Sequence, residues 1–178
     1  KTLDEITRGL EEYDVASSVR SAESFLDALS TWYLRRSRRR FWKSSADEDK
    51  KYAYRTLYHV LITFVEALAP IVPFVSEEIY RNLGGPMRRP EGSAPWPESV
   101  HLRDWPEARP DLVDTELNAR MDRVLAVVRL GRAAREKVQI KVRQPLSRMW
   151  FFCLDGTGPQ LDENLLSQIA QELNVKEV

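Results

Sequence analysis

The chain has 178 residues, and its 27 basic and 27 acidic side chains give a formal net charge of zero. With 43% hydrophobic and 30% charged residues, the composition is that of a globular chain rather than of a disordered segment or a fibre. Neutrality excludes a global field that attracts polyanions, so any binding of nucleic acid would depend on local basic patches.

Cysteine use and hydropathy exclude two further classes. The single cysteine, Cys153, cannot form an internal disulfide, and no Cys/His cluster has the spacing of a zinc site. We therefore expect a reducing, cytoplasmic setting. The longest apolar run, residues 60–75, is interrupted by Glu66, Pro70 and Pro73, so no membrane span is predicted.

Two helices are predicted at the start of the chain. Residues 2–13 carry apolar side chains at helical steps, and Thr2 followed by Glu5 predicts a capping box. Residues 15–42 contain neither Pro nor Gly and have an apolar stripe at steps of three and four, which predicts one rod of ~42 Å. Asp14 or Ser17 is the expected cap of this second helix.

The middle of the chain predicts two more helices and a long irregular segment. Residues 49–69 form a largely apolar helix, with Asp47 as its cap and Pro70 as its stop. Pro73 fits the first turn of the next helix, whose inward face we assign to its apolar residues, namely Phe74, Ile79 and Leu83. Residues 84–110 are rich in proline and irregular, with a short extended piece predicted at 100–102.

A helix is predicted at 114–138, where Gly131 lies on the apolar stripe and allows a close approach by another helix. Beyond it the period changes: a strand at 149–154, a helix at 165–173 and a second strand from 174 predict a βαβ fragment. The predicted fold is mainly α, an antiparallel helical bundle over residues 1–142 followed by the start of a small α/β domain over residues 143–178.

The most unusual stretch is 35–40, in which five of six residues are arginine. At ~100° per residue, Arg36 and Arg40 continue the apolar stripe, and the other three point outward with Trp42 beside them. Guanidinium groups bind phosphate and stack on bases, and an indole can stack on an unpaired base. A solvated basic helix end, which the helix dipole favours by itself, fits the same residues.

A second basic surface is predicted where the helix at 114–138 ends. Its members are spaced over the last helical turns and the following segment, and they are Arg132, Arg135, Lys137, Lys141, Arg143 and Arg148. Here too a solvated helix end is an alternative to contact with RNA.

Four stretches resemble a known family. The run Trp32–Trp42 resembles a signature of isoleucyl-tRNA synthetases, within the helical domain that binds the anticodon. Residues 68–80, with Leu-Ala-Pro and Glu-Glu, are similar to a segment found across class Ia synthetases, and residues 99–106 and 131–146 are similar to segments that follow it. Thr31 stands where the family usually has Asn.

The resemblance implies a fold and a role. It implies a class Ia anticodon-binding bundle and, for the intact protein, ligation of isoleucine to its tRNA with ATP and Mg²⁺ in a catalytic domain of the same chain. It implies a cytoplasmic monomer that does not bind membranes. The residues expected to bind tRNA are Arg35, Arg38, Arg39, Trp42, Lys43, Arg132, Lys137, Lys141 and Arg143.

No catalysis, cofactor or metal is assigned to these residues, because the chain has no Gly-rich phosphate loop and no nucleophile with a His partner. The two short ATP-binding motifs of class I synthetases are also absent from it. Two alternatives to RNA binding by an isoleucyl enzyme stay open. One is a structural or protein-interaction bundle, in which the arginines pair with acids such as Glu11, Glu12 or Asp14. The other is the equivalent domain of a valyl or leucyl enzyme.

Overall fold

The computed structural model describes residues 1–42, 47–84, 97–152 and 160–178. The chain divides into two compact units, Lys1–Ala108 and Arg109–Val178. The predicted mainly α fold with a small α/β fragment is confirmed. The predicted domain boundary at 142/143 stays a prediction, and the structural division falls earlier in the chain. None of the described helices combines the length and the apolar composition that a bilayer span requires.

The first unit is built from helices whose starts follow local signals. They are α1 (Thr2–Glu11), α2 (Val15–Ala28), a π-helical segment (Leu29–Leu34), α3 (Arg35–Trp42), α4 (Glu48–Leu68) and α5 (Pro73–Gly84). The caps predicted at Asp14 and Asp47 are confirmed: their carboxylates accept the N–H groups of Ser17 at 3.0 Å and Lys50 at 2.8 Å. The capping box predicted at Thr2 is wrong, because α1 begins at Thr2 itself and Lys1 occupies the cap position.

Helices α1 and α2 form a closely packed pair. Ile6, Ala22 and Ala67 make one buried apolar cluster, which joins this pair to α4. Gly9 faces Ser18 so closely that a Cβ atom there would lie 2.3 Å from the Ser18 Oγ. Ser18 is fully buried, and its hydroxyl donates to the Ile6 carbonyl at 3.0 Å. A glycine at position 9 is therefore required by the packing of the two helices.

The turn between α1 and α2 has the hydrogen bonds of a Schellman motif. The Asp14 N–H donates to the Gly9 carbonyl at 2.7 Å, and the Tyr13 N–H donates to the Leu10 carbonyl at 3.2 Å. Tyr13 adopts the left-handed conformation, with φ of 58°, and its side chain is exposed. This position usually holds glycine, because a Cβ atom makes the left-handed conformation unfavourable.

A second apolar cluster joins α4, α5 and a 3₁₀ turn at Val100–Leu102, through Ile62, Val65, Ala69, Tyr80 and Val100. Three polar contacts bind the segment around this turn to the helices. Tyr80 donates to the Pro97 carbonyl at 3.0 Å, Trp105 donates to the Thr7 hydroxyl at 3.0 Å, and Arg103 pairs with the buried carboxylate of Glu66 at 2.7 Å.

Several predictions for this region are wrong. Residues 100–102 are helical rather than extended, because Ser99 caps a 3₁₀ turn there by accepting the His101 N–H at 3.2 Å. Phe74 and Ile79, predicted to face inward, are 89% and 38% exposed. The buried positions of α5 are Ser76 and Tyr80 instead, and Tyr80 belongs to the apolar cluster with Ile62 and Val65 of α4. Residues 85–96 of the predicted irregular segment lie outside the described residues.

The second unit contains a 3₁₀ turn (Pro110–Leu112), α6 (Thr115–Lys137), β1 (Leu146–Arg148), α7 (Glu163–Leu173) and β2 (Val175–Glu177). The two strands pair in parallel, with Leu146 opposite Val175. The close approach predicted at Gly131 is confirmed, because a Cβ atom there would lie 2.4 Å from a methyl carbon of Leu173.

The first strand of this unit lies earlier than predicted. Residues 149–152, assigned to the strand from their apolar character, are not in a strand, and 153 and 154 lie outside the described residues. Pairing selects 146–148 because the Leu146 N–H donates to the Asn174 carbonyl at 3.1 Å, directly before β2. The second predicted strand and the helix before it are confirmed by β2 and α7.

Candidate nucleic-acid interface

The arginine run lies on a helix that is continuous from Val15 to Trp42 but widens in its middle. In the π-helical segment, side chains supply extra donors to carbonyl groups: the Thr31 hydroxyl donates to the Asp27 carbonyl at 2.7 Å, and Arg35 Nε donates to the Thr31 carbonyl at 2.9 Å. Widened turns of this kind leave some carbonyls poorly paired, and they occur frequently at functional sites.

The π-helical segment moves the inward face of α3 by about one residue. Arg36 and Arg40 continue the apolar stripe and were predicted to face a neighbouring element, either buried or paired. Arg40 pairs with Asp49 of α4, and the buried residue of α3 is Ser37, which is 5% exposed. Phe41 packs edge-on against Tyr54 of α4 with ring centroids 5.1 Å apart. Arg36 and Arg40 are half-buried beside this line.

Paired contacts hold α3 in place on α4. Arg40 binds the Asp49 carboxylate through Nε at 2.9 Å and Nη2 at 2.8 Å, and Nη2 also donates to the Asp49 carbonyl at 3.3 Å. The Tyr33 hydroxyl donates to the Ala53 carbonyl at 3.4 Å. The guanidinium carbon of Arg36 lies 5.4 Å from the ring centroid of Trp32. These contacts fix the helix so that its opposite face has a defined orientation.

That opposite face carries the side chains predicted to bind tRNA. Arg35, Arg38 and Arg39 are exposed, and Trp42 is 74% exposed. At ~100° per residue these four positions fall within one third of the helix circumference. The guanidinium carbon of Arg38 lies 5.0 Å from the centroid of the Trp42 ring, so one face of the indole is already stacked. Lys43, the remaining predicted residue of this surface, lies outside the described residues.

The acids that the structural-bundle alternative invoked do not neutralise this face. Within the described residues, no ion pair joins Glu11, Glu12 or Asp14 to an arginine of α3, and Asp14 instead caps α2. Arg38 and Arg39 also form no ion pair with any residue that the structure describes. We define Arg35, Arg38, Arg39 and Trp42 as the α3 face; it combines cationic donors with an exposed aromatic ring.

The second basic surface divides into paired and exposed members. Arg132 forms an ion pair of 2.7 Å with Glu172, whose side chain is 6% exposed. Arg135 is only 5% exposed, and its guanidinium donates to backbone carbonyls. Lys137, Lys141 and Arg143 are exposed. The cations of the end of α6 therefore differ in environment although they are close in sequence.

Three structural residues escaped the sequence reasoning. Arg135 was counted among the surface cations, although it continues the buried series Val124, Val128 and Gly131 at helical spacing, a signal that could have identified it. Glu66 was considered only as an interruption of the apolar run, and Glu77 only as part of the Glu-Glu pair in residues 68–80. In the structure both bind the segment that follows α5.

The Glu77 carboxylate accepts the Val100 N–H and the Ser99 hydroxyl, each at 2.9 Å, and Arg81 Nε at 2.7 Å. The bond from the Val100 N–H does most to lower the pKa of this carboxyl, partial burial opposes it, and Ser99 and Arg81 add to it. Glu77 is thus an anion that fastens a loop. Among the described residues no cluster of His, Cys, Asp and Glu could hold a metal ion.

Comparison with known proteins gives consistent matches. A family model described as the anticodon-binding domain of tRNA ligase matches residues 1–149. Isoleucine–tRNA ligase of Thermus thermophilus is 43% identical over 177 residues, which is 99% of this chain and 16% of that protein. The isoleucine–tRNA ligases of Dehalococcoides mccartyi and Treponema denticola are 43% and 39% identical over 172 and 178 residues, 97% and 100% of this chain, again 16% of each.

The family resemblance seen in the sequence is therefore confirmed. The chain spans about 16% of the length of these curated relatives.

Proposed function

The chain belongs to the family of anticodon-binding domains of tRNA ligases, and we propose that it binds the anticodon stem-loop of an isoleucine tRNA. The observation that carries this proposal is the α3 face, where three exposed arginines share one side of the helix with an exposed indole. Phosphate groups of the RNA bind the guanidiniums, and an unpaired base of the loop stacks on the free side of Trp42. Lys43 adds a further cation to this contact.

The stacked pair of Arg38 and Trp42 supports this assignment. A guanidinium plane on one side of the indole limits the rotation of both side chains, so less conformational entropy is lost when a base stacks on the other side. Unpaired loop bases are where proteins read RNA sequence, and a flat aromatic surface accepts any of them. Selection of particular bases then depends on hydrogen bonds around the stack.

The second basic surface extends the contact in the proposal. Lys137, Lys141 and Arg143 are exposed cations that can reach phosphate, and Arg132 uses the guanidinium N–H groups not engaged by Glu172. We propose that these residues contact phosphates of the RNA backbone. Such contacts contribute to affinity but do not select particular bases.

We propose that the whole protein is an isoleucine–tRNA ligase, since the curated relatives that match the chain carry that name. In this proposal a catalytic domain of the same chain uses ATP and Mg²⁺. The whole protein is a monomer in the cytoplasm. The role of these residues is to hold the anticodon so that the acceptor end of the tRNA reaches that domain.

The test is a binding titration of the chain with an isoleucine tRNA and a noncognate tRNA at several salt concentrations. Each phosphate contact adds about 0.7–0.9 to the slope of log affinity against log salt. Replacing Arg35, Arg38 and Arg39 together by Ala is expected to reduce the affinity and to flatten that slope by about 2–3 units.

A matched control replaces three exposed arginines elsewhere in the same unit, Arg8, Arg20 and Arg55, and keeps the same net charge as the test variant. If both triple variants lose the same affinity, binding reflects overall charge and the α3 face is not the site. A parent chain that ignores tRNA at low salt supports the structural-bundle alternative.

A further inference from the structure

The guanidinium of Arg135 is a buried junction between three segments of the second unit. It donates through Nη1 to the carbonyls of Lys141 and Gln144, both at 3.1 Å. Through Nη2 it donates to the carbonyls of Leu173 at 2.7 Å and Asn174 at 3.2 Å. All four acceptors are backbone carbonyls, so the side chain holds the backbone of these segments in place and does not pair with a neighbouring acid.

The first two acceptors are the two ends of one turn. The Gln144 N–H donates to the Lys141 carbonyl at 2.9 Å, which closes a β-turn with Val142 and Arg143 at its corner. Arg135 holds the carbonyls of both end residues from the inside of the unit. The turn is therefore fixed at its base, while Lys141 and Arg143 have exposed side chains.

The chain enters this turn through a Schellman motif that also involves residue 135. The Ile140 N–H donates to the Arg135 carbonyl at 2.9 Å, and the Gln139 N–H donates to the Glu136 carbonyl at 3.0 Å. Gln139 has φ of 57°, the left-handed conformation expected at this position of the motif. Backbone and side chain of one residue thus fix the segment from 138 to 144.

The other two acceptors fasten the turn to the end of α7. Leu173 and Asn174 are the last helical residue and its C-cap, and Asn174 is left-handed with φ of 50°. Carbonyls at a helix C-terminus have no hydrogen-bond donor within the helix, and here Arg135 donates to both of them. Gly131 and Leu173 pack in direct contact one turn earlier, so the guanidinium lies at a junction of well-packed elements.

We propose that Arg135 is a positioning residue that presents Lys141 and Arg143 to the RNA backbone by holding the Lys141–Gln144 turn. This inference rests on the proposed function, because it concerns the same tRNA contact. A planar fork with five N–H groups can serve four carbonyls at once, whereas a lysine ammonium has three donors on one atom. The proposal therefore predicts that lysine cannot replace Arg135.

The test is a double-mutant cycle on tRNA affinity, combined with amide exchange. Arg135→Gln is introduced alone and together with Lys141→Ala and Arg143→Ala, and Arg129→Gln on the exposed face of α6 serves as the control. Alone, Arg135→Gln is expected to weaken tRNA binding about threefold to tenfold, the size of one or two lost charged hydrogen bonds in solvent. In the background lacking Lys141 and Arg143 it is expected to cost nothing further.

Amide exchange without tRNA reports on the turn itself. Exchange of the Gln144 amide is expected to accelerate at least about tenfold in Arg135→Gln, because the bond to Lys141 opens more often. Arg135→Lys, a milder change that keeps the charge, is expected to give most of this acceleration. Arg129→Gln is expected to leave both the exchange and the affinity close to the parent values.

The outcomes separate the two proposals. Equal affinity losses in the two backgrounds, or unchanged exchange at Gln144, overturn the positioning role. So does a Lys141→Ala/Arg143→Ala variant that binds tRNA as tightly as the parent, although binding through the α3 face then survives. Failure of the parent chain to bind tRNA overturns the proposed function instead, while the exchange measurement still shows whether Arg135 holds the turn.

Discussion

The C-terminal ends of α3 and α6 are both rich in basic residues, but these residues have different surroundings. Each carries several cations in its last turns, as the helix dipole favours. At the end of α3, Arg38 and Arg39 are exposed and form no ion pair with any described residue. At the end of α6, Arg132 pairs with a buried glutamate, and Arg135 is withdrawn from solvent.

A basic helix end can therefore be either a buried part of the framework or an exposed surface. The α3 face is opposite the line that packs on α4, so its residues are exposed to solvent. The cations of α6 meet α7, whose last carbonyls need donors and whose Glu172 is buried. An arginine becomes part of the framework where the neighbouring element has carbonyls or a carboxylate that need a hydrogen-bond donor. Where the neighbour has no such group, the arginine stays available to a ligand.

Stability measurements on one cation from each helix end give the largest expected contrast. Arg135→Met removes four hydrogen bonds to backbone carbonyls, and we expect it to lower the free energy of unfolding by about 3 kcal/mol. Arg39→Ala changes an exposed side chain, and we expect less than about 0.5 kcal/mol. Urea unfolding followed by circular dichroism measures both. Similar losses from the two substitutions would contradict the contrast drawn between the helix ends.

A second contrast is between the two charged side chains that hold a turn in place, one in each unit, and it predicts a different pH dependence for the two turns. In the first unit the Glu77 carboxylate fastens the Val100 turn, and in the second the Arg135 guanidinium fastens the Lys141 turn. Because the pKa of Glu77 is lowered in the folded state, its stabilising contribution is fully present above its ordinary value of 4.5. It is lost as the pH falls through the lowered value.

We therefore expect the Val100 amide to lose protection from exchange below pH 4.5 while the Gln144 amide keeps its own, after correction for intrinsic rates. Glu77→Gln is expected to reduce protection at Val100 already at neutral pH and to remove most of its acid dependence. Parallel loss at both amides in the parent chain would mean that the two units unfold together in acid, and not that one anchor titrates.

The smallest expected effect comes from the two Schellman motifs that end α1 and α6. Both hold a non-glycine residue in the left-handed conformation, Tyr13 with φ of 58° and Gln139 with φ of 57°. Tyr13→Gly is expected to raise the free energy of unfolding by about 0.5–1 kcal/mol, since its side chain is 93% exposed and makes little packing. Thermal unfolding measures the change.

Gln139→Gly is expected to stabilise less, because the Gln139 side chain also donates to the Glu136 carbonyl at 3.0 Å and that bond is lost. The pair of variants thus separates the backbone term from the side-chain term. A larger gain at Gln139 than at Tyr13 would show that the side-chain bond contributes nothing.

Local features of the fold could be predicted from the sequence because the interacting groups are close along the chain. The carboxylates of Asp14 and Asp47 cap helices through N–H groups three residues away, and Pro73 begins α5 in the way its fixed backbone angle allows. The motif around the arginine run likewise identified the family from consecutive residues. The outward placement of Arg35, Arg38 and Arg39 followed from helical periodicity alone.

Only the tertiary structure decided the features that depend on distant partners. The π-helical segment moved Ser37 to the buried position, a shift that a constant helical period cannot represent. The place of Arg135 in the buried series of α6 indicates its burial, but its partners include carbonyls 38 and 39 residues away, which no local pattern identifies. The amino-acid sequence by itself therefore determined the helices, their caps and their family, since these follow from short-range bonds, whereas long-range packing decided which cations are free to bind.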